Sequence, residues 1–522
     1  MAMHRQGRFD PKVAIIGAGI SGMVAAKELA RFNPMVFEAT DSIGGVWKHC
    51  SYRSTKLQTP RIDYEFSDYQ WKDRRNPSFP THDEILDYLA GYATHFDLWK
   101  NIYFRSKVVE IKFIGANVTS ADRYSLSGHP VWEIAVQDHL SETIKWYKFE
   151  FVIMCIGKYG DVANIPVFPE GNGPEVFAGT VMHSMDYCKL DGEEIRRLVK
   201  GKKIIVVGYK KSAIDLAIEC AAAAAKHCTM IVRGLHWVVP SYSIWGLPFF
   251  LFYSTRFSQF FHRTPNQGFL RSVLSYLSSP FRRGVSKFIE SYLAWKLPLE
   301  KYGLKPDHPF VEDYASCQMA ILPTDFFREA DAGRIRFQKL PMTGGRNWCF
   351  YENGVLLNDK DDNVTKLEAD VVFLATGFNG KGKLKSILPE PFRDIILDPS
   401  SGLIPLYRGT IHPLISQMAF VGYIESVSNL HTSELRCKWL SRLLDGRFEL
   451  PTVEEMFANT REETEVMKKT TRFYKRHCIS TYSINHSDEM CRDMGWRTRR
   501  KKGWFSDVFS PYGNQDYKED EK

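Results

Sequence analysis

Residues 12–30, KVAIIGAGISGMVAAKELA, constrain the fold more than any other stretch. An apolar run from Val13 to Ile16, of the type buried on both faces of a parallel sheet, turns through Gly17-Ala18-Gly19-Ile20-Ser21-Gly22 into an alanine-rich helical pattern. Glycine at 17 permits a tight turn, at 19 it lets a pyrophosphate approach bare backbone, and at 22 it lets helix and strand pack closely. The helix N-terminus then offers unpaired N–H groups and a positive dipole end to phosphates. The next strand, PMVFEAT (34–40), ends on Glu38. A carboxylate there accepts hydrogen bonds from ribose hydroxyls and repels a 2′-phosphate, so the site expects the adenosine half of FAD or NAD. Gly44 and Gly45, just before Val46 and Trp47, bring more bare backbone against a large flat ligand.

A second strand–turn–helix follows in IIVVGYKKSAIDLA (204–217). Gly208 opens the turn and Tyr209 follows it, but the place of the second glycine is held by Lys210, followed by Lys211, Ser212 and the small Ala213. Lysine side chains can supply charge to phosphates where backbone approach is lost. The next strand, in CTMIVRGLHWVVP (228–240), ends on Arg233 where the first half has Glu38. A cation at this point accommodates the 2′-phosphate of NADP. The expectation is an α/β protein with two Rossmann-like dinucleotide-binding domains, one for FAD and one for NADPH, the second inserted in the first.

A chain of 522 residues divides into two or three domains. The expected parts are 1–165 (first part of the FAD domain), 166–339 (NADPH domain, with an aromatic, helical insert at about 235–315) and 340–522 (the returning FAD part with C-terminal helices). RRGVSKFIESYLAWKLPLEKYG (282–303) has helical periodicity and is expected to cover a substrate entrance, and AAAAA (221–225) to extend a helix. The net charge of +8 gathers in WRTRRKKGW (496–504), before the acidic close DYKEDEK (516–522). This short basic run reads as a solvated tail, with no nucleic-acid motif around it. Ten cysteines without a C-x-x-C pair point to a reducing, intracellular compartment, with Cys155, Cys220 and Cys228 as core thiols. LHWVVPSYSIWGLPFFLFYS (235–254) lacks charged groups other than histidine, but prolines and a glycine break it. It is expected to be a buried insert or tunnel wall rather than a membrane contact, and no segment has the apolar length of a membrane span.

With these motifs in place, the sequence resembles the flavin-containing monooxygenases. Their identifying segment stands here as FAGTVMHSMDY, with Phe177, Gly179, His183 and Tyr187. FVIMCIGKYG (151–160) and VVFLATGFNG (371–380) match the family's two crossings between domains, the second bringing Thr376 and Gly377 to the flavin or the linker. GYKKSAID, HSMDYCKL, KLPLEKYGLKPDH, LYRGTIHPLI and SNLHTSELR are similar to a plant branch that N-hydroxylates the cyclic amino acid pipecolate in systemic immunity. The lysine pair belongs to that branch's pattern.

The resemblance implies that NADPH reduces FAD, that O₂ forms a hydroperoxide at flavin C4a, and that this oxygenates a small amine or amino acid. Such chemistry needs no metal, and no metal cluster, Ser-His-Asp set or carboxylate pair stands out. Many relatives carry an asparagine near the flavin, where KLQTPRIDYEFSDY (56–69) has Gln58, the catalytic candidate. His183 is expected to brace the domain junction. Animal relatives have a hydrophobic C-terminal anchor and this chain ends in charged residues, so a cytoplasmic enzyme is expected, with peripheral attachment to the endoplasmic reticulum left open. Alternatives are oxygenation of another amine or thioether, oxidative decarboxylation of an α-keto acid, and a non-catalytic nucleotide-binding redox sensor.

Overall fold

The computed structural model describes residues 12–74, 78–115, 124, 126, 128–340, 347–358 and 364–519. The last three residues of the acidic close lie outside them. Two five-stranded parallel sheets organise the chain. In the first, Met418–Phe420, Phe151–Met154, Val13–Ile16, Met35–Phe37 and Ile102–Tyr103 lie side by side in that order. Val13–Ile16 is central and wholly buried, as its uninterrupted apolar run requires. The helix Ile20–Glu28 covers one face and packs against the long helix Asn429–Leu444.

The second sheet has the order Ile335–Lys339, His227–Val232, Lys203–Val207, Val371–Leu374, Thr180–His183. Val371–Leu374 is therefore an inner strand of the coenzyme domain. The antiparallel sheet Trp348–Tyr351, Gly354–Asn358, Val364–Glu368 packs on the same domain, through Trp348, Phe350 and Val355 against Val207 and Leu374. The chain thus returns to the flavin domain just after residue 374, and not near 340 as expected. The glycine-led crossing at 375–380 marks the return, whereas the β-rich stretch before it carries no sign of which sheet it joins.

The insert contributes the short strand Val238–Val239, paired with Ala320–Ile321, and the helices Arg256–Phe260, Phe269–Leu277, Ser279–Lys296 and Phe310–Ala315. The segment 235–254 is only partly buried: Trp245, Leu247 and Leu251 are exposed. The alanine run carries its helix only through its first two residues, to Ala222, and Ala224 turns to φ +60°.

Cys317 and Cys478 form a disulfide across 161 residues, tying the coenzyme domain to the C-terminal segment. Local spacing could not reveal so distant a pair, and it departs from the reading of the cysteines as thiols. Cys155, Cys220 and Cys228 are free and buried.

Candidate functional site

A cavity of about 1210 Å³ opens at the carboxyl ends of the first sheet, where open α/β sheets bind ligands. Its floor is the glycine turn. Gly17 has φ +102°, and a Cβ there would lie 2.7 Å from the Cys155 carbonyl oxygen. At Gly22 a Cβ would meet the Gly17 carbonyl oxygen at 1.8 Å, so helix and turn touch only because residue 22 lacks a side chain. Gly44 N–H donates to the Ala18 carbonyl at 3.1 Å, which brings the second glycine pair onto the first turn. There a Cβ on Gly45 would come within 3.3 Å of Gly19 Cα. Glu38 accepts from Ala18 N–H at 2.8 Å on Oε2 and from Thr40 N–H at 2.9 Å on Oε1. An ionised carboxylate has acceptor sites left for a ribose hydroxyl. Ile20, Ser21, Val46 and Trp47 line the same cavity, and Trp47 Nε1 donates to Tyr64 Oη at 3.2 Å.

The second turn repeats the first. Gly17 N–H donates to Phe37 O at 2.8 Å, and Gly208 N–H to Ile231 O at 3.0 Å. Gly208 has φ +142°, and its Cβ would meet the Ala375 carbonyl oxygen at 2.7 Å, just as Gly17 faces Cys155. Tyr209 and Ala213 are buried, and Ser212, in the first turn of the helix Lys211–Ala222, lies beside Tyr52. Arg233, directly after its strand, is exposed and has no ion pair or hydrogen bond among the described residues.

The two lysines diverge. Lys211 Nζ reaches four residues along its own helix to Asp215 Oδ1 at 2.6 Å, so it is committed to a buried carboxylate. Lys210 occupies the helix N-cap, and its Nζ donates to Gln318 Oε1. It is open to solvent in the cleft yet walled by protein. Burial first, and then Arg476 and Arg233, push its ammonium down to about 8. Gln318 N–H donates to the carbonyl of Asp313 at 2.9 Å. The Asp313 carboxylate accepts from Trp237 N–H (2.6 Å) and pairs with His236 Nδ1 (2.7 Å) and His308 Nε2 (2.9 Å). These three side chains come close enough to hold an ion, but hydrogen bonds among themselves account for their arrangement.

Three of the expected site residues lie at the junction between the domains. Thr376 and Gly377 do not line the large cavity. Thr376 Oγ1 donates to Asn164 O at 2.6 Å, and Gly377 O accepts from Asn164 N–H at 2.9 Å, which makes them links between the two crossings. Gln58 does not line it either: Gln58 Oε1 accepts from Ile321 N–H at 2.8 Å, holding the flavin-side loop to the coenzyme domain. His183 is buried, which lowers its affinity for a proton. Its Nε2 faces Gly377 O at 3.1 Å, and its Nδ1 accepts from Met185 N–H at 3.2 Å. Phe177 packs on Phe350, Gly179 leaves room for the Asp370 carbonyl, and Tyr187 packs edge-on to Phe373. The four signature residues thus seat the edge strand and the junction.

Sequence reasoning missed a charged cluster on the cavity wall. Glu425 is buried between Lys158 Nζ (2.5 Å) and Arg476 Nη2 (2.9 Å), and it also accepts from Tyr159 Oη. Burial alone would raise the Glu425 carboxyl, but the two cations overcome it and hold the group low. Arg476 Nε is buried without a partner. Lys158 is the one member with a local signal, its place four residues beyond the strand Phe151–Met154 at the cavity edge.

Two linked dinucleotide folds, one with an acidic and one with a basic residue directly after its second strand, define a flavoprotein that takes electrons from a nicotinamide coenzyme. The chain belongs to the flavin-containing monooxygenases: the family described as flavin-binding monooxygenase-like matches residues 10–501. It is 58% identical over 529 aligned residues to the probable flavin-containing monooxygenase 1 of Arabidopsis thaliana, covering 99% of this chain and 98% of that one. It is 51% identical to the putative flavin-containing monooxygenase 2 of the same plant, covering 95% of this chain and 99% of that one. An oxidised steroid monooxygenase bound to NADP shares the fold, with TM-score 0.65 at 17% identity over 93% of this chain and 97% of that one. The chain is an FAD- and NADPH-dependent monooxygenase. The glycine floor, the Glu38 carboxylate and the cavity volume fit FAD.

Proposed function

We propose that the chain N-hydroxylates a small amino acid, with pipecolate the first candidate and N-hydroxypipecolate the product. A role in plant systemic defence belongs to the same reading. The supporting observation is the charge at the seam between the domains, where Lys158, Arg476 and Lys210 surround one carboxylate, Glu425. This excess of cations suits a substrate that carries a carboxylate. Bound FAD, reduced by NADPH, supplies the activated oxygen. Lys158 receives the substrate carboxylate from the cavity side, and Arg476 reinforces it from behind. The amine must arrive unprotonated, and the Glu425 oxygens, kept ionised, accept a hydrogen bond from its N–H. Aromatic and aliphatic walls exclude water around it.

Aerobic turnover of the yellow protein with NADPH and pipecolate, with the product read by mass, tests this. Flavin reduction without oxygenated product from any of a panel of amino acids, amines and thioethers would sink it. Product from a thioether or an α-keto acid alone would replace the substrate class.

On the coenzyme side, Arg233 is assigned to the 2′-phosphate and Lys210 to the phosphate bridge. Arg233→Ser should raise KM for NADPH about tenfold and leave that for NADH nearly unchanged, the loss of one charge-assisted contact. Equal losses would remove the assignment. Lys210 carries its charge only below about pH 8. KM for NADPH should therefore rise as pH passes through that value, and Lys210→Arg, which stays charged, should flatten the profile. An unchanged profile would make Lys210 a structural residue.

A further inference from the structure

The Cys317–Cys478 bond joins the two walls of the seam beside the residues that carry its charges. Cys317 follows the helix Phe310–Ala315 and stands in the left-handed region at φ +54°. Directly after it comes Gln318, whose Oε1 accepts from Lys210 Nζ and whose Nε2 donates to Ser316 Oγ at 3.1 Å. On the opposite wall Cys478 lies two residues beyond Arg476 and sits beside Glu425 in a short parallel bridge. Glu425 N–H donates to His477 O at 2.9 Å, and Ile479 N–H donates to Glu425 O at 2.9 Å. Cys478 is thus clasped by the backbone of the same residue whose carboxylate Lys158 and Arg476 hold. Lys210 feels both Arg476 and Glu425 across the gap.

Other contacts keep these walls together without the bond. Ser480 Oγ donates to Tyr314 O at 2.7 Å, Thr471 Oγ1 to Glu312 O at 3.0 Å, and Arg472 N–H to Glu312 Oε2 at 2.9 Å. With the sulfurs parted, the C-terminal segment therefore stays attached. What is lost is the fixed distance between Gln318, which holds Lys210, and Glu425. One end is within reach of a reagent, since Cys317 is part-exposed while Cys478 is buried.

We propose that Cys317 and Cys478 form a thiol–disulfide switch that sets the grip of Lys210 on NADPH. Closed, it fixes Lys210 and Glu425 across the seam; open, it loosens the site for the coenzyme phosphates. The reductant is a dithiol. Its thiolate attacks the Cys317 sulfur, and the Cys478 thiolate leaves and takes up a proton. The second thiol of the reductant then displaces Cys317, so two electrons and two protons pass to the protein and the reductant becomes a disulfide. A disulfide oxidant reverses the exchange.

Holoprotein purified without reductant should show eight free thiols in denaturant, and ten after dithiothreitol, with Cys317 and Cys478 the two newly alkylated. Once dithiothreitol is removed, KM for NADPH should stand at least about threefold higher, with kcat changed less than about twofold. Flavin content should not change, and oxidised glutathione should restore the lower KM. Cys317→Ser should show the higher KM before and after reduction. Ten free thiols in untreated protein, a wild-type KM that reduction does not move, or a flavin-loaded Cys317→Ser enzyme matching oxidised wild type would each overturn the switch.

The switch rests on the assignment of Lys210 to the coenzyme, and Lys210→Met separates the two. If the oxidised variant keeps the wild-type KM, the assignment itself is refuted. If its KM is raised but still climbs on reduction by the wild-type factor, the bond does not act through Lys210 and the switch as proposed is refuted. A raised KM that reduction leaves in place supports both.

Discussion

Protein carrying Gly22→Ala should be recovered colourless, or scarcely at all. The new methyl group would lie 1.8 Å from the carbonyl oxygen of Gly17 and 2.9 Å from its carbon, and both are backbone atoms. The turn cannot withdraw, because Gly17 itself stands against the Cys155 carbonyl. Helix and strand must separate, at a cost of about 4 kcal/mol or more, equivalent to roughly a thousandfold in cofactor affinity. Flavin absorbance per mole of folded protein is the measurement. Gly19→Ala is the control, since its added carbon meets nothing closer than 3.8 Å within the protein. That variant should fold and bind FAD more weakly, because the methyl group stands where the pyrophosphate approaches. A Gly22→Ala protein as yellow as wild type would show that the helix–turn contact is not what shapes the floor.

The second large effect is expected at Glu425. Glu425→Gln leaves the half-buried Lys158 and Arg476 facing each other with no counter-charge, a loss of about 2 kcal/mol in unfolding free energy once their partial exposure is allowed for. The pH dependence has a definite sign. The folded carboxyl is held below its ordinary value of 4.5, so its stabilisation is complete above that value and is lost as pH falls through the depressed one. Denaturant titrations from neutral to acid pH should therefore find wild type losing the advantage that the variant never had. If the two curves stay parallel below pH 4.5, the ion cluster does not stabilise the fold.

Both dinucleotide turns were legible because a glycine's purpose is local: strand, turn and helix are consecutive, and each missing side chain answers to an atom a few residues or one strand away. The places of Glu38 and Arg233 were legible for the same reason, since each directly follows a short strand. The fate of Lys211 was also within reach, since Asp215 stands four residues on, the spacing at which helical side chains meet. The cluster around Glu425 was not. It gathers residues from 158, 425 and 476, and no pattern in any one segment announces the other two. The link made by Gln58 was hidden because its partner is a backbone N–H of residue 321, which belongs to another domain.

The order of strands also sets an order of events at synthesis. The coenzyme sheet needs nothing beyond residue 374, whereas the flavin sheet lacks its outer strand until residues 418–420 have emerged, and the Glu425 cluster until residue 476. A nascent chain therefore holds one finished domain nested inside an open one, with the strand Phe151–Met154 waiting for the outer strand Met418–Phe420, which is made only after the whole inserted domain. Pairings this remote slow folding and lengthen exposure of the bare sheet edge. In this protein, the nicotinamide module is the natural scaffold on which the flavin module closes last.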